Sequence, residues 1–402
     1  MKVLIVGSGG REHALSWKVS QSPKVDKVFV APGNGGTELE QQIHNINIQP
    51  NDIEALVQFA IKEGIDLTIV GPEDPLVNGI TDRFKEEGLR CFGPSKGAAQ
   101  LEGSKEFMKQ FLQNHNIPTA EYAVFSSSDA AINYVKEKGC PIVIKADGLA
   151  AGKGVTIAFT VEEAKIAINE SLESGVFGDA GKTIIIEEFL TGEEASFIVL
   201  TDGEIAIPFA SSQDHKARDD QDKGPNTGGM GAYSPAPIVN KVIHKKIMDE
   251  VIYPTLKGLK KDGFTYCGFL YAGMMIDSKN NLKVLEFNCR FGDPETQPIM
   301  MRLKSDLADL CNQACSNSLE DCPLEWDERK ALGVVIASEG YPFEYEKNKE
   351  IKNIPYEQED IKVFHAGTKY EAGKIKSNGG RVLCVTTLGN SVQSAQVKAY
   401  NA

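Results

Sequence analysis

Short apolar runs alternate with amphipathic stretches through the first hundred residues. Lys2–Val6, Val25–Val30, Asp66–Val70 and Leu89–Phe92 are rich in Val, Ile, Leu or Phe and close at Gly or Pro turns, which predicts strands. Between them, Arg11–Gln21, Asn51–Glu63 and Pro75–Glu87 carry apolar residues at helical spacing. Continuous apolar strands alternating with helices predict a doubly wound parallel sheet covered on both faces. After a helix over Ser104–Asn114 the rhythm changes. Helix Ser128–Lys138, strand Pro141–Lys145, a Gly-rich loop, strand Val155–Phe159, helix Val161–Ser174 and strand Lys182–Phe189 predict a compact α+β lid. Ser196–Leu200 and Glu204–Phe209 flank Asp202-Gly203, a hairpin signal. Ser211–Pro237 is long, polar and aperiodic, the mark of a functional or disordered loop. A helix over Asn240–Lys261 precedes a second hairpin, Gly268–Ile276 and Leu282–Phe291. A helical segment to Asn317 and strands such as Leu332–Ala337 and Gly380–Thr386 complete the chain.

Length and composition narrow the class. At roughly 100–200 residues per domain, 402 residues suggest two to four domains. An apolar fraction of 41% with 25% charged residues is ordinary globular usage and excludes fibrous or disordered chains. No apolar run approaches the roughly 20 residues that span a bilayer. Met1–Val6 runs straight into Gly7-Ser8-Gly9-Gly10, so no secretory leader is expected, and a cytoplasmic protein is. A formal charge of -13 argues against nucleic acid and anionic membranes as partners. Local Lys and Arg residues can still reverse the field inside a cleft. The eight cysteines include no CxxC pair, and reduced core thiols are expected.

Two Gly-rich segments carry candidate chemistry. Gly7-Ser8-Gly9-Gly10-Arg11-Glu12 joins a strand to a helix, where free N–H groups can hold a phosphate. Glu12 stands where a dinucleotide loop has its third glycine, and no ribose-binding acid closes the second strand, so a redox enzyme is the weaker alternative. His13 is expected on the helix surface rather than as an acid or base. The second segment, Lys145 to Val155, is a residue short of a P-loop and leads into a strand, not a helix. A flap between two strands could close over a triphosphate, with backbone amides and Lys153 facing its oxygens. Glu187-Glu188-Phe189-Leu190 then offers an acid–apolar hinge suited to accepting from an adenine amino group while exposing backbone amides, and Glu193 and Glu194 follow as carboxylates for ribose. Period-two alternation would place Glu286, Asn288 and Arg290 on one strand face. Carboxylate and amide oxygens there suit magnesium bridging phosphates, and the guanidinium can fork onto an anion.

Lys145, the loop to Gly154, Glu187–Leu190 and Glu286-Phe287-Asn288 together resemble the ATP-grasp superfamily. GSGGREHAL at the start, APGNGGT from Ala31, IVGPEDPL from Ile69, FGPSKGAAQLEGSK from Phe92 and IKADGLAAGKGV from Ile144 narrow the resemblance, as do SSQDHKARDD from Ser211, GPNTGGMGAYSPAP from Gly224 and LEFNCRFGDPETQPIM from Leu285. Over essentially the whole chain these are similar to the family of phosphoribosylamine–glycine ligases, the glycinamide ribonucleotide synthetases of purine biosynthesis. The resemblance implies an α/β and α+β multidomain protein: an N-terminal substrate domain over 1–102, a central ATP-grasp domain over 103–122 and 190–325, a mobile lid over 123–189 and a small mixed C-terminal domain over 326–402, its last helix expected to be incomplete.

The resemblance also implies ligation of glycine to 5-phosphoribosylamine with cleavage of ATP, through a glycyl phosphate. Mg2+ (or Mn2+) is the expected metal, held by Glu286 and Asn288. Many relatives in the superfamily place a second acid on the preceding strand, but Gly273-Met274-Met275-Ile276 has none. ATP would be held by Lys105, Lys145, Gly152, Lys153, Gly154, Glu187, Glu188, Phe189, Leu190, Glu193 and Glu194. Arg290, Lys145 and Lys153 would act in catalysis, Arg290 on glycine's carboxylate and the transferring phosphoryl group. Gly9, Gly10, Asn34 and Glu73 would bind phosphoribosylamine, with Asp293 orienting its amine, while Asp214 and Lys216 serve the glycine end. A monomer, or at most a weak dimer, is expected. The competing classes are a P-loop or kinase-like phosphotransferase, a non-catalytic nucleotide-binding module and another ATP-grasp carboxylate–amine ligase of purine metabolism.

Overall fold

The computed structural model describes residues 1–149, 154–175, 178–320 and 323–402. Five parallel strands lie in the order Ile43–Asn45, Lys27–Pro32, Lys2–Gly7, Leu67–Val70, Cys91–Phe92. Leu4 and Val6 of the central strand pack into one core cluster, Val3 and Ile5 into another. Alternate side chains therefore enter apolar layers on both faces, which is why the run is continuously hydrophobic. The expected helix over 75–87 is two helices, Glu73–Asn78 and Ile80–Glu86, parted by Gly79 at φ 93°. The short strand Ile43–Asn45 was too brief for its pattern to register.

The lid is an antiparallel sheet ordered Tyr122–Phe125, Ile184–Glu188, Ile142–Ala146, Val155–Ala158, with helices Ser128–Lys138 and Val161–Leu172. Its core, built on Val135, Ile144, Ala164, Ile168 and Ile186, is separate from the rest. The central sheet runs Ala206–Pro208, Glu193–Thr201, Gly268–Ile276, Leu282–Asn288.

The polar stretch after Ser211 is not a loop. It forms four short strands, and two of them, Gln213–Asp214 and Gly231–Ser234, join Lys330–Ala337, Arg381–Gly389 and Ile361–His365 in a five-stranded sheet. Strands of two to four residues have no readable period; the two that join the sheet pair backbone groups that packing takes out of water. The Asn240–Lys261 helix is continuous but contains a π turn over Met248–Ile252. Among the described residues, no helix is long and apolar enough to cross a membrane.

Candidate active site

Antiparallel register builds the floor of the site. Ser196 pairs with Gly273 and Gly273 with Glu286; Ile198 pairs with Tyr271 and Tyr271 with Asn288. Paired residues point to the same side, so Glu194, Ser196, Tyr271, Glu286 and Asn288 share one face. Ala195, Phe197, Ala272, Met274 and Phe287 fill the core behind it. Strict alternation along Leu282–Asn288 would carry Glu286 into that core, because Leu282 and Val284 are both in it. The register shifts between Gly273 and Met274, and this irregularity turns Glu286 and Asn288 outward. The strand ends at Asn288, so Arg290 lies beyond it and not on the same strand face, as strict alternation had implied.

The Ser211–Pro237 segment closes over this floor. Ser212 exchanges both backbone hydrogen bonds with Ser196, at 2.8 and 3.1 Å. Two residues on stands Asp214, and beyond it Lys216, whose Nζ lies 3.1 Å from Glu194 Oε2 and 3.6 Å from Glu286 Oε1. Lys216 holds the Glu286 carboxyl below its ordinary range against the opposing effect of burial, with Lys145, Arg290 and Lys105 assisting. Burial and the neighbouring Glu194 and Glu286 push Asp214 upward, opposed by Lys216. Glu295 packs onto the same face, accepting from Ser196 Oγ at 3.0 Å. Among the buried carboxylates of the described residues, Glu12 and Glu187 have cations within 4.0 Å and Glu295 has none. Burial, then Asp214, raises its carboxyl to about 7.

That value has a measurable consequence. A Glu whose folded pKa lies above its unfolded one stabilises the fold least once pH exceeds the folded value. The stability supplied by protonated Glu295 should fall as pH rises from about 4.5 to about 7. Glu295→Gln cannot ionise, so relative to the parent it should gain on the order of 2 kcal/mol between pH 5 and pH 8 in urea unfolding. Equal pH slopes for the two proteins would contradict this.

The phosphate end is assembled from lid and helix. Lys105 opens the helix Lys105–Asn114; its amide donates to Asp147 Oδ1 at 2.7 Å and its Nζ to the Gly148 carbonyl at 2.7 Å. Lys145 lies on the facing lid strand and Gly154 is buried where the return strand begins. Gly152 and Lys153 lie outside the described residues. The hinge differs from expectation. Glu187 faces inward, with Lys145 Nζ 3.0 Å from Oε1 and Lys109 Nζ 3.0 Å from Oε2, so neither oxygen is turned to an adenine amino group. Glu188 pairs with Lys283 and accepts from the Glu121 amide at 3.1 Å. Phe189 packs 6.0 Å from the Phe159 ring, Leu190 is half-buried and Glu193 is exposed.

Arg290 is held by two acids. Its Nε donates to Glu73 Oε2 at 3.1 Å, one Nη lies 2.7 Å from Glu102 Oε1, and the other donates to the Phe291 carbonyl at 3.2 Å. Burial would raise Glu73, yet Arg290 and Arg11 hold its carboxyl down at about 2. Glu73 therefore serves the arginine rather than standing free for a ligand. Burial lifts Glu102 to about 7 despite Arg290.

A cleft of about 640 Å³ opens between the first βα turn and the C-terminal sheet, lined by Gly9, Asn34, Asp293, Thr368, Lys369 and Arg381 among others. Glu12 folds back so that Gly9 N–H donates to its Oε2 at 2.5 Å. A Cβ on Gly71 would lie 2.0 Å from Glu12 Oε1, so only glycine leaves room for this carboxylate, which fills the space a dinucleotide loop keeps open. Gly10 packs beneath Gln297. Asn34 spends its amide: Nδ2 donates to the Ser8 and His365 carbonyls at 2.9 and 2.8 Å, and Oδ1 accepts from the Gly36 and Thr37 amides at 2.8 and 3.1 Å. It shapes the cleft and has no free group to offer. Asp293 accepts from Gln297 Nε2 at 2.8 Å and Arg381 Nη2 at 3.1 Å. His13 is not on the surface: it is 1% exposed, its Nε2 3.1 Å from Glu40 Oε1 and its Nδ1 accepting from the His365 amide at 2.9 Å.

Lys109, Glu102, Glu295 and Arg381 belong to this network and were missed in the sequence. Glu295, two residues after Asp293, and Glu102, three before Lys105, lie within the quoted motifs; Lys109 and Arg381 do not. Lys109 sits one turn after Lys105 on a helix with Phe107, Met108 and Phe111, where a lysine reads as an exposed cation.

Matches to known proteins cover the same ground. The ATP-grasp (A) domain of phosphoribosylglycinamide synthetase matches residues 103–296, its N domain residues 1–102 and its C domain residues 331–402. The phosphoribosylamine–glycine ligase of Escherichia coli (strain K12) is 60% identical over 402 residues, covering 100% of this chain and 94% of its own. That of Haemophilus influenzae is 59% identical over 400 residues, covering 99% and 93%. The crystal structure of the Thermotoga maritima phosphoribosylamine–glycine ligase superposes with a TM-score of 0.84 at 33% identity, covering 100% of this chain and 96% of that one. A biotin carboxylase from Campylobacter jejuni shares the fold alone, at a TM-score of 0.76 and 16% identity over 99% of this chain and 89% of that one.

Proposed function

The chain belongs to the phosphoribosylglycinamide synthetase family, and from that premise we propose how its own residues join glycine to 5-phosphoribosylamine. The reaction is ATP + 5-phosphoribosylamine + glycine → ADP + phosphate + glycinamide ribonucleotide. A glycine carboxylate oxygen attacks the γ-phosphorus and the bond to the ADP oxygen breaks, leaving glycyl phosphate. The amine nitrogen then attacks the glycyl carbonyl, the carbon–oxygen bond to phosphate breaks and the amine loses a proton. The observation that carries this reading is the convergence of four cations, Lys216, Lys145, Arg290 and Lys105, on the Glu286 carboxylate, which their charges hold below its ordinary range against burial.

Both anionic steps need charge neutralisation and positioning more than a covalent nucleophile. Lys105 and Lys145 take the phosphates, and the hinge after Glu188 receives the base through its backbone. Glu286 and Asn288 suit magnesium: one carboxylate and one amide oxygen, with phosphates and water completing the shell, is the sparse protein ligation this ion accepts. When bound, the ion would supply positive charge against the phosphates. Asp214 and Glu295 lie where an ammonium would relieve two repelling carboxyls. Arg290 keeps two of its five N–H groups after its three contacts, and these would be left for the anionic reactants. The lid excludes water from an acyl phosphate that would otherwise hydrolyse. The four-part division of the chain and a cytoplasmic location belong to the same reading.

The cleft suits the ribose 5-phosphate, with Lys369 as its accessible cation, 35% exposed and 3.4 Å from Glu371. Lys369→Met should raise KM for phosphoribosylamine about tenfold, the scale of one charge-assisted hydrogen bond, and leave KM for ATP unchanged. An unaltered phosphoribosylamine KM would remove Lys369 from the site.

The decisive experiment is phosphate release from MgATP with glycine and freshly generated phosphoribosylamine, omitting each in turn. Release should need both, with glycinamide ribonucleotide found by mass spectrometry. Release indifferent to glycine would keep the ATP-grasp chemistry and move the substrate to another carboxylate.

A further inference from the structure

Behind the phosphate end lies a buried ionic triad, Lys145 with Lys109 and Glu187, and the reaction does not directly use the last two. The Lys109 side chain is fully buried and that of Glu187 is 2% exposed. Lys109 Nζ lies 3.0 Å from Glu187 Oε2 and donates to Thr119 Oγ1 at 2.8 Å; that hydroxyl in turn donates to the Val284 carbonyl at 2.9 Å. Lys109 is thus pinned from the helix, the chain leading to the lid, and the strand that carries Glu286. Lys145 is held less firmly. Both ammonium groups meet Glu187 as ion pairs at 3.0 Å, but among the described residues the one hydrogen bond that Lys145 adds is long, 3.4 Å to the Leu285 carbonyl.

Two ammonium groups share one carboxylate, and the further anions acting on them are Glu188 on Lys109 and Glu286 on Lys145. A triphosphate beside Lys145 would compete with Glu187 for its ammonium. Lys145 could reach it only by loosening from Glu187, and a buried carboxylate stripped of its cation is strongly disfavoured. Resting on the reading that Lys145 binds ATP phosphates, we propose that Lys109 is a positioning residue: it keeps Glu187 satisfied from behind and so frees Lys145 for the nucleotide. Burial, opposed by Glu187 and to a lesser extent by Glu188, brings Lys109 down to about 8.

Lys109→Met should weaken binding of an unreactive ATP analogue with magnesium by about tenfold or more, because Glu187 then retains Lys145. KM for glycine and for phosphoribosylamine should not move. Adding Glu187→Gln should recover most of the lost affinity, since Lys145 no longer has a carboxylate to satisfy. A purely structural Lys109 would instead lower the unfolding temperature without touching nucleotide affinity, and that result overturns the proposal. So does a double variant that binds no better than the single one. Should Lys109→Met fail to fold, a crystal of the parent protein with the same analogue decides the matter. Lys145 must leave Glu187 while Lys109 stays; Lys145 still on Glu187 with the phosphates bound would refute the exchange. Failure of the ligase reading itself is separate, appearing as phosphate release that ignores glycine while nucleotide affinity follows the triad as stated.

Discussion

Glu286→Gln is expected to lower glycine-dependent phosphate release by about 10³-fold or more, the range seen when a charge-stabilising group is removed from a phosphoryl-transfer or acyl-transfer site. The amide preserves shape and removes the charge. That charge faces Lys216 at 3.6 Å and lies within the influence of Lys145, Arg290 and Lys105. Without it the four cations have one fewer anion to oppose them, and a metal held there would lose its only carboxylate from this strand. Folding should be little affected, within about 1 kcal/mol, because the side chain is half-exposed and makes one loose ion pair. The measurement is kcat beside a thermal unfolding curve. Ligation at the parental rate would remove Glu286 from the metal role and with it the proposed path of the ion.

Arg290→Lys should fail on both counts at once. The guanidinium bridges Glu73, Glu102 and the Phe291 carbonyl from three nitrogens in one plane. An ammonium on a shorter stem cannot make all three contacts. Glu73, held at about 2 largely by this arginine once burial is overcome, would be left buried with only the more distant Arg11, 3.9 Å away. Breaking such a pair costs about 3–5 kcal/mol, so the unfolding midpoint in urea should fall clearly. Turnover should drop about 10²-fold besides, because the remaining N–H groups no longer point into the site. A lysine variant of full stability and undiminished kcat would show that neither the fork nor its acids matter.

The site was legible where its residues sit on patterned elements or in dense motifs. Lys145, Glu286 and Asn288 follow from strands whose apolar neighbours announce them, and Asp214, Asp293 and Lys105 from motifs quoted whole. Arg290 was identified but its surroundings were not. Nothing near it in sequence predicts Glu73, 217 residues away, or Glu102 as its partners. The same holds for Arg381, which reaches Asp293 across 88 residues. His13 was misplaced for the same reason. It looked solvent-facing on a helix with polar neighbours, but the C-terminal strand Ile361–His365 covers that face.

By itself the sequence determined the classes of element and their order. The continuous apolar strands, the amphipathic helices and the two hairpins each encode their structure within some ten residues, through side chains that must leave water. Tertiary structure alone decided three matters. It turned Glu286 out of the core by a register shift that depends on the partner strand at Gly273 and Met274. It drew the polar residues after Ser211 into a sheet, because backbone groups buried beneath other elements needed partners that local sequence cannot supply. And it decided which charges are buried. Lys109 and Glu187 read as a surface lysine and a ligand-facing acid until three separate segments close around them. Burial is a property of what packs on a residue, and electrostatic strength depends on burial, so the charged network of the site exists only once the chain has folded.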